Sequence, residues 1–97
     1  MKTIKLMADY FCFPLWVVDP VEVGNVNPES LPISQGLKDM LLNWAKEYDR
    51  TVDMDDPSNS GFKSQSDELK FKKTGARLAD LLTNELGSGY VVKFQFN

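Results

Sequence analysis

Tyr90-Val91-Val92-Lys93-Phe94-Gln95-Phe96 places Tyr90, Val92, Phe94 and Phe96 on one face of an extended chain, and Lys93 and Gln95 on the other. Successive side chains of a strand point to opposite sides, so this alternation predicts a half-buried β-strand. Just upstream, Phe71, Gly75, Leu78, Leu82 and Leu86 recur at intervals of three and four, with Leu81 widening the stripe. That is the period of an amphipathic helix. The helix is predicted to start near Ser66, with Asp67 and Glu68 in its first turn where negative charge suits the dipole, and to stop at Gly87. Gly75 weakens such a helix by about 1 kcal/mol relative to Ala. A close helix–sheet or helix–helix approach would account for its presence.

Further upstream, Asp53 to Gln65 is polar and rich in turn formers, with Phe62 as an apolar anchor. Before it, Leu37, Met40, Leu41, Trp44 and Tyr48 form a second helical stripe behind Ser34, a plausible N-cap, and the helix is expected to end near Arg50. The amino-terminal third is less regular. Ile4, Leu6 and Ala8 alternate with Thr3, Lys5 and Met7, which predicts a first strand. Pro14 bars Tyr10–Val18 from being one uninterrupted central strand, so strands are expected around Leu15–Val18 and Val21–Val23. Gly24, Asn25, Asn27, Pro28 and Pro32 are expected to form a loop. The resulting expectation is a single α/β (α+β) domain over residues 1–97. Two helices pack on one face of a small sheet that holds both the N-terminal and the C-terminal strand.

Composition limits function. The 97 residues are 42% hydrophobic and 26% charged, enough for one core and no more. No apolar run approaches the roughly 18 residues of a membrane span. The opening Met1–Asp9 is too short and too charged for an export signal, so the expected location is cytoplasmic. Histidine is absent and Cys12 is the only cysteine. This removes the commonest general base, intramolecular disulfides and thiolate metal sites. Cys12 is expected to be a small buried hydrophobe.

The remaining candidate chemistry is carboxylate. Asp49, Asp53, Asp55 and Asp56 fall within eight positions. A calcium loop beginning at Asp53 would need Gly at its sixth position and Glu at its twelfth, where Ser58 and Gln65 stand. No metal or other cofactor is expected. Asp55 and Asp56 adjoin in a turn, where aspartate often serves the backbone; a recognition surface is the other reading. Residues 34–60 carry three basic against six acidic side chains, residues 61–97 six against four. The negative field is local, and a local acidic patch steers a basic partner. Lys70, Lys72, Lys73 and Arg77 could touch phosphate, but no nucleic-acid-binding motif accompanies them and the pI is near 4.8. A solvated helix face is the plainer reading, and no direct nucleic-acid binding is expected. Tyr10, Phe11, Phe13, Trp16, Trp44 and Phe62 are expected mainly in the core, with Tyr10 and Trp16 partly exposed beside Pro14. No catalytic residue emerges, and the expectation is a binding protein. An enzyme built on carboxylates would instead show activity or metal-dependent stabilisation.

Several segments together resemble a group of short bacterial single-domain proteins. They are Asp9-Tyr10 with Phe13-Pro14-Leu15-Trp16, Leu31-Pro32-Ile33-Ser34, Trp44 with Tyr48-Asp49, Asp55-Asp56-Pro57 followed by Ser60-Gly61-Phe62, and Gly75 with Leu78-Ala79. Some proteins of this type serve as immunity proteins beside toxins of contact-dependent growth inhibition systems. The resemblance implies a non-enzymatic, cytoplasmic inhibitor, monomeric in a heterocomplex with a cognate toxin domain. Nuclease toxins are commonly basic because they hold phosphate. Tyr10, Trp16, Asp49, Asp53, Asp55, Asp56 and Phe62 are the residues expected to meet such a partner. An interaction or regulatory domain without any toxin is the alternative.

Overall fold

In the computed structural model, residues 2–18, 23–56 and 60–96 are described. Strands β1 (Lys2–Leu6), β2 (Leu15–Val18) and β3 (Val23–Val26) precede helices α1 (Gln35–Asp49) and α2 (Gln65–Leu86), and β4 (Tyr90–Phe94) closes the chain. The sheet order is β3-β2-β1-β4, so the first and last strands are neighbours. β1 is antiparallel to β2 and parallel to β4. A parallel pair needs a crossover, and here the two helices supply it, returning the chain from one sheet edge to the other.

The register aligns the apolar faces. Ile4 lies opposite Val17 and Val92, and Leu6 opposite Leu15 and Phe94. Ile4, Leu6, Leu15 and Val17 are buried against Leu37, Leu41, Trp44, Phe71, Leu78 and Leu82 of the helices. The α+β class, with both terminal strands in one sheet and the helices on one side of it, is as the residue patterns imply.

Helix α1 starts where Ser34 Oγ accepts a hydrogen bond from Leu37 N–H at 3.2 Å. The same serine donates through N–H and Oγ to the carboxylate of Glu85, tying the start of α1 to the last turn of α2. The cap of α2 is Ser64, whose Oγ accepts from Asp67 N–H, so that helix begins one residue earlier than the charge pattern suggested. Gly87 ends it with φ +74°, a conformation that favours glycine.

Gly75 is where the layers come closest. A Cβ there would lie 2.6 Å from Phe94 Cζ and 2.7 Å from Trp44 Cζ2. A ring from the sheet and a ring from α1 therefore occupy the space a side chain would need. Trp44 stacks on Phe71 at 4.4 Å between centroids, and its Nε1–H donates to Phe71 O at 3.0 Å.

Four expectations need correction. Gly24 and Asn25 belong to β3 and not to a loop; Val21 lies outside the described residues. Asn25 succeeds in a strand because its amide acts as extra backbone: Oδ1 accepts from Phe13 N–H, and Nδ2 donates to Phe13 O and Leu15 O. Met40 is exposed; the buried stripe of α1 runs through Leu37, Leu41, Trp44 and Ala45, leaving Met40 at the rim between the helices. Phe11 and Phe13 are also exposed, outside the core. Cys12, between them, is only half-buried.

Candidate partner-binding edge

The turn between β1 and β2 meets the carboxyl end of α1. Met7 N–H donates to Pro14 O at 2.9 Å and closes the base of this turn. At its tip Asp9 holds the backbone twice: its Oδ1 accepts from Tyr10 N–H at 2.8 Å and its carbonyl from Cys12 N–H at 3.3 Å. Between these bonds Phe11 takes φ +60°, left-handed backbone that bulky residues seldom adopt. Its N–H donates to Asp49 Oδ1 at 2.9 Å, so a carboxylate from the last turn of α1 secures the strained residue. The ring gains little burial in return and is 68% exposed.

The neighbouring side chains are fixed. Tyr10 stacks on Tyr48 at 4.5 Å, and its hydroxyl is 2.8 Å from Thr51 Oγ1, which itself donates to Tyr48 O. Tyr48 continues the aromatic row to Phe62, which packs on Phe71 at 5.0 Å. Phe62 thus anchors the acidic loop to the core, as its isolated position among polar residues suggested. Gly61 N–H donates to Thr51 O, and Asp53 N–H to Ser60 Oγ. Asp53 Oδ1 accepts from both Asp55 N–H and Asp56 N–H, each at 3.0 Å.

The aspartates therefore divide. Asp49 and Asp53 shape the backbone, while Asp55 and Asp56 are exposed at the loop. All four are acidic side chains and contribute to the local negative field. Tyr10, Asp49 and Phe62 adjoin one aromatic row. Trp16 lies elsewhere, on the sheet face turned away from the helices, where its Nε1–H donates to Met7 O. Phe11 is the prominent residue that sequence reasoning overlooked. Asp9, a turn former before consecutive aromatics, was its available signal; the reach of Asp49 across 38 positions had none. Among the described residues, no group of three or more His, Cys, Asp or Glu side chains is placed to hold a metal ion. No helix there is long and apolar enough to cross a membrane.

Burial raises the pKa of the Tyr48 phenol above its ordinary value of 10.0, and the nearby Tyr10 and Asp9 add to the effect. The fold thus holds this proton more firmly than the unfolded chain does. Its contribution to stability is complete below pH 10.0 and is lost as pH rises through the higher folded value. Urea melts at increasing alkaline pH should show a decline that Tyr48→Phe makes shallower. An unchanged alkaline limb in that variant would contradict the assignment.

The family model described as Serratia CdiI immunity protein-like matches residues 2–97. No curated protein matches the chain significantly.

Proposed function

The chain belongs to the Serratia CdiI immunity protein-like family, and from that membership we propose that it neutralises a cognate toxin of a contact-dependent growth inhibition system by binding the toxin's C-terminal domain. The partner is a basic nuclease, and the contact is the edge formed by the β1–β2 turn and the acidic loop. The complex forms in the cytoplasm and contains the inhibitor as a monomer. The protein carries out no chemical step; it covers the surface that the toxin presents to its substrate.

One observation carries the choice of edge. Phe11 is held in left-handed backbone by Asp49 while its ring stands in solvent. Unfavourable backbone that exposes an apolar ring has no evident benefit for the isolated fold, and strain of this kind concentrates at functional sites. A rigid aromatic surrounded by negative charge has the makeup of a binding hot spot for a basic protein: the ring supplies affinity and the carboxylates supply steering.

Asp55→Lys/Asp56→Lys tests the charge. Both side chains are exposed, so the fold should be unchanged. Association with the toxin domain should slow by about tenfold or more at low salt, and the difference from the parent should shrink as salt screens it. Stopped-flow association measures this directly. Equal rates at low salt would reject the acidic surface while leaving family membership untouched.

A further inference from the structure

The sheet face away from the helices carries a different pattern. Lys5 lies opposite Trp16 on β2 and opposite Lys93 on β4, and Trp16 lies opposite Asn25 on β3. One row across all four strands therefore reads Asn25, Trp16, Lys5, Lys93. Beside it Thr3 is paired with Val91, and Val18 is exposed.

Adjacent strands are about 4.8 Å apart, so Lys5 and Lys93 stand side by side. Like charges directly opposite one another destabilise a sheet. Neither ammonium forms an ion pair with a described carboxylate. The chain as a whole carries a net charge of −3, whereas the charged side chains of this row are both cationic, which makes it a segregated feature. The row's other polar groups are engaged internally. Trp16 Nε1–H is committed to Met7 O, and the Asn25 amide to the backbone of Phe13 and Leu15. A partner would meet two ammonium groups bordered by the apolar surfaces of Trp16, Val18 and Val91.

We propose that this open face docks an acidic polypeptide segment of a partner protein, with carboxylates over Lys5 and Lys93 and apolar side chains against Trp16 and Val18. Charge complementarity selects the acidic class. The engaged polar groups favour polypeptide over nucleic acid: apart from the two ammonium groups, the tryptophan and asparagine donors of the row are committed to the backbone, and two cations on an acidic protein attract a polyphosphate weakly. The row meets the Phe11 edge only at Asn25, and its assignment does not depend on a toxin.

The test uses the full chain and a synthetic peptide of alternating Glu and Val, at low salt. Trp44 is only 2% exposed, so a change in tryptophan emission reports on Trp16. The peptide should shift that emission saturably. Lys5→Glu/Lys93→Glu should weaken binding by about tenfold or more, and Lys5→Gln/Lys93→Gln should weaken it with less risk to the fold. Lys72→Glu/Lys73→Glu on α2 should leave binding unchanged. The proposal is overturned by absence of binding, by equal loss in the α2 variant, or by tighter binding of single-stranded RNA through Lys5 and Lys93.

Discussion

Trp44→Ala should lower the unfolding free energy by about 3–5 kcal/mol, the range for removing a large buried aromatic. The side chain is 2% exposed, stacks on Phe71, contacts the ring of Phe94 and donates to Phe71 O. Its removal takes away ring contacts that join α1 to α2 and to β4. Domains of this size are stable by about 5–15 kcal/mol, so the variant would approach the limit of folding. The melting temperature should fall by roughly 15 °C or more. Urea melts followed by far-ultraviolet circular dichroism give the measurement. Gly75 provides an internal check. In the parent, Gly75→Ala drives a methyl against Trp44 and Phe94, so overpacking opposes the usual gain in helix propensity. With Trp44 shortened, half of that obstruction is gone and the same substitution should cost less. The two changes should therefore be non-additive. A Trp44→Ala loss below about 1 kcal/mol would mean that this ring does not join the layers.

The central packing could be read from the chain because it follows periodicity. Tyr90 to Phe96 alternates, and the register puts Val92 and Phe94 beside Ile4 and Leu6. Ser34 precedes a helical stripe and caps it. Gly75 interrupts another stripe at the point where two rings approach. These features depend on neighbours within a turn or on a face that repeats. The departures at Asn25 and Phe11 depend on hydrogen bonds that include long-range ones. Gly24 and Asn25 have loop propensities, but the Asn25 amide binds backbone groups 10 and 12 positions away. Phe11 has the composition of a core residue, yet Asp49 and Asp9 hold the chain in a conformation that turns its ring outward. The same limit applies to the candidate site. The acidic cluster was visible as a count of charges, whereas the division of labour between Asp49 and Asp53 on one side and Asp55 and Asp56 on the other exists only in three dimensions.

Phe11→Asn separates binding from folding on the proposed toxin edge. Asparagine tolerates left-handed backbone better than any bulky side chain, and little apolar area is lost from a ring that is already exposed. Stability should therefore be unchanged or slightly higher, while the dissociation constant for the toxin domain rises by about 30-fold or more, equivalent to ~2 kcal/mol for a hot-spot aromatic. Most of the change should appear in the dissociation rate. Asp49→Asn resolves the second half of the arrangement. Its amide oxygen can still accept from Phe11 N–H, so the turn is retained while one charge is removed. That variant should slow association modestly and leave dissociation nearly as it was. Opposite assignments, with Phe11 governing association and Asp49 dissociation, would mean that the carboxylate makes the intimate contact and the ring lies outside it. An unchanged dissociation constant in Phe11→Asn would reject this edge altogether, and the strain at residue 11 would then need another explanation.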